Sequence, residues 1–228
     1  MTSNPAPEHF SDRLRAAADE IWRAQHAHPF VRAIGDGTVD VKQFAYWVRQ
    51  DYLFLIDYAR LFAVAVSRAP DLASMTAFAR LCFETLDTEM ALHRAYAAEF
   101  AITEADLESE TKAPTTQAYT DFLLRTAALG DYAELVAALL PCMWGFSEIG
   151  ARLKERGLPK QPQCAAWIEM YAAPEFAELA GWCRDLLDAA AAGLPESHLR
   201  RLEAAFLTSS RHELAFWEMA HTLLTWPT

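Results

Sequence analysis

The stretch Leu135-Val136-Ala137-Ala138-Leu139-Leu140-Pro141-Cys142-Met143-Trp144-Gly145-Phe146 is the most apolar part of a segment that otherwise reads as helix, Tyr132 to Arg156. Its reading decides the fold, because proline is the residue a helix interior tolerates least. It removes a backbone hydrogen bond and collides with the carbonyl four residues back, a cost of about 3 kcal/mol. A helix that accepts Pro141 beside the thiol of Cys142 is expected to shape a space around the sulfur. Gly145, one turn further on, is expected to share that face and leave room for a ligand.

The rest of the chain reads the same way. His9 to His28 forms a first amphipathic helix, followed by the turn-rich Gly35-Asp36-Gly37. Asp40 is placed to cap a long helix over Val41 to Arg68, stopped by Ala69-Pro70. Helices follow over Ala73 to Phe100 and, after a short turn around Thr103 to Glu110, from Pro114 to about Leu129. Beyond Gly157 and Pro159 come Gln163 to Tyr171, Glu175 to Ala192, and Pro195 to about Leu224. Strand and hairpin signals are nearly absent. The chain is therefore expected to be all-α: a flexible tail over residues 1–7, then one helical domain over 8–228.

Composition narrows the function. Of the 228 residues 53% are hydrophobic, ample for a core, and the formal net charge is −11. That balance argues against a nucleic-acid surface, which needs clustered Lys and Arg. No signal peptide is read at the N-terminus, and no run is read as approaching the ~18 apolar residues of a membrane span. The four cysteines show no paired spacing, so the chain reads as cytoplasmic with reduced thiols.

Three segments carry candidate chemistry. Spacing puts Trp47, Asp51, Phe54 and Tyr58 on one helix face, with Asp51 in an aromatic setting where a carboxylate must find partners or change protonation. It is read equally well as a functional group or as a tie between helices. Glu213 shares a face with Phe216, Trp217 and Ser209 or Ser210, a second carboxylate against aromatic rings, while Arg211 and Glu218 read as salt-bridge residues. Glu89 and His93 lie one turn apart, which suggests a metal. A two-metal bundle, however, needs a pair of Glu-x-x-His units and two further glutamates, and that pair is absent. No metal is expected, and His93 is read as a surface or inter-helix hydrogen-bonding group. Cys142 alone reads as a small buried hydrophobe, since no histidine is near it in sequence to act as a base.

Taken together, the segments resemble the thiaminase II (TenA) family. The resemblance is carried by His28-Pro29-Phe30-Val31 with Ile34-Gly35-Asp36-Gly37-Thr38, Gln50-Asp51-Tyr52, and Glu89-Met90-Ala91-Leu92-His93. It continues through Pro114-Thr115-Thr116 with Ala118-Tyr119-Thr120, then Leu139 to Trp144 with Glu148-Ile149-Gly150. Trp167-Ile168 with Tyr171, and Ser209-Ser210-Arg211 with Glu213 and Phe216-Trp217, complete it.

The resemblance implies an all-α, haem-oxygenase-like bundle assembled as a homotetramer, without cofactor or metal. It implies hydrolysis of 4-amino-5-aminomethyl-2-methylpyrimidine to the 5-hydroxymethyl pyrimidine and ammonia, and in many members cleavage of thiamin to the same pyrimidine and the thiazole. Cys142 would be the nucleophile, Asp51 would hold the aminopyrimidine edge, and Glu213 would be the general acid and base. Phe54, Tyr119, Tyr171 and Phe216 would border the ring. Phe146 stands where many members of the family have a tyrosine, so a hydroxyl is missing from the implied site. The partners implied are a small aminopyrimidine or thiamin, with neither nucleic acid nor membrane. The family's historical label of transcriptional activator leaves a regulatory or pyrimidine-binding protein without DNA contact as the alternative.

Overall fold

Four long helices frame the molecule. A computed structural model describes residues 9–227, and the expected tail over 1–7 lies outside them. Helix α4 (Val41–Arg68) starts where the Asp40 side chain accepts from the amides of Lys42 and Gln43. Helix α8 (Pro114–Leu129) begins with proline in its first turn, where a missing amide costs nothing. Helix α9 (Tyr132–Glu155) opens with a reciprocal capping box between Asp131 and Glu134. Helix α12 (Glu196–Thr222) closes the described chain.

Helix α9 continues through Pro141. Proline cannot donate to the Ala137 carbonyl four residues back, and hydroxyls from two other helices donate to the two carbonyls that follow it. Ser209 Oγ reaches the Ala138 carbonyl at 2.7 Å and the Tyr58 hydroxyl reaches Leu139 at 2.9 Å. Leu135 to Leu140 have no exposed surface. By length and composition α9 would be apolar enough to cross a membrane, which the sequence reading did not expect, but most of it is buried against its neighbours α8 and α12.

The shorter elements depart from expectation in instructive ways. The single first helix is two, α1 (Phe10–Ala17) and α2 (Asp19–His26), because the backbone leaves helical geometry at Ala18. A further helix, α3 (Pro29–Asp36), which the sequence reading did not assign, is capped by the His28 ring, which accepts from the Phe30 amide; it runs into the turn-rich Gly35-Asp36-Gly37 and ends there at Gly37, φ 67°. The span expected as one helix over Ala73 to Phe100 is α5 (Leu72–Glu84), a π-helical turn (Thr85–Glu89) and α6 (Met90–Glu99). The expected turn around Thr103 to Glu110 holds α7 (Glu104–Ser109), fixed by a capping box between Thr103 and Asp106. Helices α10 (Pro162–Tyr171) and α11 (Pro174–Ala191) both pack on α9. No strand occurs among the described residues. One contiguous core runs through the bundle, anchored by the fully buried Trp22, Trp47, Trp167 and Trp217.

The glycines of α9 do not do what the sequence suggested. Residues advance about 100° each around a helix, which puts Met143 and Phe146 to one side of Cys142 and Gly145 to the other. A Cβ built on Gly145 would have room, its nearest neighbour being Gln25 Oε1 at 3.9 Å, but Gly145 lines no part of the cavity that Cys142, Met143 and Phe146 face. Gly150 is the one that packing demands. A Cβ there would lie 2.6 Å from the Tyr171 carbonyl carbon and 2.8 Å from the Ala172 nitrogen, both backbone atoms. Gly150→Ala is therefore expected to lower stability by about 1–3 kcal/mol. Gly145→Ala is expected to be neutral or to stabilise by up to about 1 kcal/mol through helix propensity. Urea denaturation of the two variants beside the parent checks both.

Candidate active site

A cavity of about 430 Å³ opens between α4, the π-helical turn, α9, α10 and α11. Helix α4 contributes a single stripe, with Asp51, Phe54, Tyr58 and Phe62 at helical spacing. Helix α9 contributes Cys142, Met143 and Phe146, and the end of α10 contributes Tyr171. The wider π turn brings Thr85, Thr88 and Glu89 to the same wall, together with Glu84 just before it. Most of the lining is apolar; its ionisable groups are carboxyls, a thiol and phenols, with no lysine or arginine.

Asp51 is buried and anchored from behind. Its Oδ2 lies 2.7 Å from Nε2 of His93, a fully buried residue whose Nδ1 donates to the Glu89 backbone carbonyl at 3.0 Å. A carbonyl can only accept, so Nδ1 carries a proton, and the short contact to Asp51 needs another. Burial pulls His93 downward, but the hydrogen bond and charge of Asp51, helped by Glu89, hold its pKa above the ordinary value. One proton is shared in the contact between Nε2 and Oδ2, and Asp51 favours it on the imidazole.

Glu213 is buried, and the Cys142 side chain is among the groups that act on its carboxyl. Its Oε1 is 2.6 Å from the Tyr119 hydroxyl, which is in turn 2.9 Å from Ser209 Oγ. Burial pushes the Glu213 carboxyl up to about 7, against the stabilising contacts of Tyr119 and Cys142. Burial, with Asp51 adding repulsion, raises Glu89 to about 7 as well. Burial and the surrounding carboxyls Glu213, Asp51 and Glu89 push the Cys142 thiol well above its ordinary range. The resting sulfur is therefore protonated and needs a base to become a nucleophile.

Of the residues singled out in the sequence, Asp51, Phe54, Cys142, Phe146 and Tyr171 line one cavity. Glu213, Tyr119 and Phe216 stand one layer behind its wall: the Tyr119 ring packs on Phe54 at 5.1 Å and Phe216 meets Phe54 edge-on at 5.8 Å. Phe146 packs against Tyr171 at 4.8 Å and Trp217 at 5.0 Å. His93 makes an inter-helix hydrogen bond, and Glu218 pairs with His28 at 3.1 Å. The sequence reading did not anticipate Glu84, Thr85, Thr88 or Glu89 at the site. The spacing of Glu89 and His93 was the available signal, but it pointed to a metal. Among the described residues no three His, Cys, Asp or Glu side chains converge as a metal site requires.

Comparison with known proteins agrees with this architecture. A family model described as TENA/THI-4/PQQC matches residues 15–223. The aminopyrimidine aminohydrolase of Halalkalibacterium halodurans is 44% identical over 220 residues, covering 95% of this chain and 97% of that protein. The solved structure of a TenA homologue from P. horikoshii OT3 is 32% identical and superposes with a TM-score of 0.86, covering 93% of this chain and 98% of that one. A Shewanella denitrificans domain with a heme oxygenase-like fold, 14% identical, shares the fold alone at a TM-score of 0.70 over 94% of this chain and 91% of its own.

The raised Glu213 carboxyl has a consequence for stability. Its folded pKa of about 7 exceeds the ordinary 4.5, so the folded state keeps a proton that the unfolded chain gives up. Stability from this group is full below the ordinary value and is lost as pH rises through 7. Relative to Glu213→Gln, the parent is expected to lose on the order of 3 kcal/mol between about pH 4 and pH 8. Urea denaturation across that range checks it, and a pH-independent difference between the two proteins would contradict a buried neutral Glu213.

Proposed function

This chain belongs to the TENA/THI-4/PQQC family, and from that premise we propose that it hydrolyses 4-amino-5-aminomethyl-2-methylpyrimidine to the 5-hydroxymethyl pyrimidine and ammonia. The observation that carries the reading is the meeting of Cys142, Asp51, Phe54 and Tyr171 in one cavity, with the buried Glu213 carboxyl behind its wall. The 44% identical relative that bears the name aminopyrimidine aminohydrolase along its whole length supports it.

The chemistry follows from the residues. Asp51, its position set by His93, accepts from the 4-amino group of the substrate. Phe54 and Tyr171 border the ring, and Tyr119 and Phe216 brace Phe54 from behind. Glu213, starting as the acid, gives its proton to a ring nitrogen and takes the thiol proton as the Cys142 sulfur bonds to an electron-poor ring carbon. The electron pair from that nitrogen then returns through the ring and expels the 5-substituent from its CH2, the departing amine leaving as ammonia with the proton now on Glu213. Water adds to the exocyclic carbon and gives a proton back to Glu213, and the sulfur leaves with the ring-nitrogen proton as the ring regains aromaticity. A carboxyl near 7 suits an acid that must also act as a base.

Thiamin presents the same pyrimidine with a different leaving group, and we include its cleavage in the proposal. The family resemblance also brings a homotetramer and a cytoplasmic setting, with residues 8–228 acting as one domain. An exposed apolar stripe of Leu72, Met75, Phe83 and Leu86 on α5 and the turn after it offers a surface for assembly, and the four free cysteines suit a reducing compartment.

Purified protein is expected to release ammonia from the aminomethyl pyrimidine. Cys142→Ser should abolish turnover by more than about 10³-fold. Glu213→Gln should lower kcat by about 10²–10⁴-fold. A parallel assay with thiamin gives the preferred leaving group. Turnover undiminished in Cys142→Ser would remove the thiol from the mechanism.

A further inference from the structure

Four buried oxygens form a chain whose protons can be counted. Glu213 Oε1, the Tyr119 hydroxyl, Ser209 Oγ and the Ala138 carbonyl follow one another at 2.6, 2.9 and 2.7 Å. Each of these contacts requires a proton between its two oxygens. Ala138 has none to give, and the two hydroxyls have one each. With Glu213 ionised, Tyr119 donates to it and the contact between Tyr119 and Ser209 is left without a proton; a proton on Glu213 satisfies all three contacts. Ser209, Tyr119 and Glu213 are at most 3% exposed, so the three contacts are made away from bulk solvent.

We propose that Ser209 is a positioning residue that keeps Glu213 in its acid form in the empty enzyme. Ser209 commits its proton to Ala138, which obliges Tyr119 to donate to Ser209 and to accept from Glu213. When Glu213 gives up its proton, the Tyr119 hydroxyl turns to donate to the new carboxylate, and the contact between Tyr119 and Ser209 loses the proton that held it. Ser209 therefore opposes ionisation of Glu213, whereas Tyr119 supports it. Ser209 lies outside the cavity lining. The titratable groups facing Glu213 are Tyr119 from α8, Cys142 from α9, and Asp51 and Tyr58 from α4. His212, next to it on α12, stacks on the Tyr119 ring at 5.1 Å. The use of this acid in catalysis rests on the hydrolase reading; the proton count does not.

Infrared spectroscopy tests the assignment without substrate. A protonated-carboxyl band, identified as the one that disappears in Glu213→Gln, is expected in the parent protein at about pH 6. Its titration midpoint should fall by about one pH unit in Ser209→Ala, the equivalent of one lost hydrogen bond. The midpoint should rise in Tyr119→Phe and stay near the parent value in Ser209→Thr, which keeps the hydroxyl. The Glu213-dependent limb of the pH–rate profile should move with it. Absence of the band in the parent, or an unmoved midpoint in Ser209→Ala, overturns the proposal. The parent spectrum decides the proton count even if Ser209→Ala does not fold. An enzyme that releases no ammonia sinks the hydrolase reading while leaving this titration valid.

Discussion

Buried carboxyls around a largely apolar cavity need partners, because an unmatched polar group costs about 1–3 kcal/mol and a charge more. That constraint organises this molecule. Asp51 is matched by His93, which is tied in turn to the carbonyl of Glu89. Glu213 is matched by Tyr119 and through it by Ser209. The turn before Pro141 receives hydroxyls from Ser209 and Tyr58. Ser209 belongs to two of these arrangements, so the geometry around the proline and the protonation of the carboxyl are set by one side chain.

The same constraint fixes the chemistry the cavity can support. No lysine or arginine lines it, so nothing there draws the thiol toward the thiolate. The neighbouring carboxyls push it the other way. In the proposed reaction the sulfur would become nucleophilic only as its proton leaves, which ties bond formation to proton transfer rather than to a standing anion. Two carboxyls poised near 7, Glu213 and Glu89, make a proton acceptor available at neutral pH without a histidine or a metal in that role.

Local signals made much of the fold legible. Helices α4 and α8 lie where the Asp40 cap and Pro114 put them, because capping is written in adjacent residues. The break at Ala18 and the π turn at Thr85–Glu89 carry no such mark: the first has neither glycine nor proline, and the second depends on a change of hydrogen-bond register. The same limit applies to the site. Asp51, Phe54 and Tyr58 could be placed on one face from spacing alone. That they meet Cys142 and Glu213 depends on the packing of separate helices, which the periodicity of each helix cannot give and which only resemblance to a family suggested. Glu84, Thr85, Thr88 and Glu89 escaped notice because their convergence requires the π turn itself.

Phe146 shows how such a site absorbs a departure from its family's pattern. Its ring is enclosed by Tyr171, Trp217 and Trp167, with centroids 4.8 to 6.0 Å away, an environment that favours an apolar aromatic side chain. A phenol in its place would bring a hydroxyl that needs a partner, and none of these rings presents an acceptor stronger than the Tyr171 oxygen. The phenylalanine therefore removes a polar demand from one wall. Hydrogen bonding to the proposed ligand would fall to Asp51, the thiol, Glu84, the Tyr171 hydroxyl, and the carboxyl and hydroxyls of the π turn. With no hydroxyl at Phe146, the pair of Asp51 and His93 would carry more of the ligand's orientation than in a cavity with a tyrosine at that position.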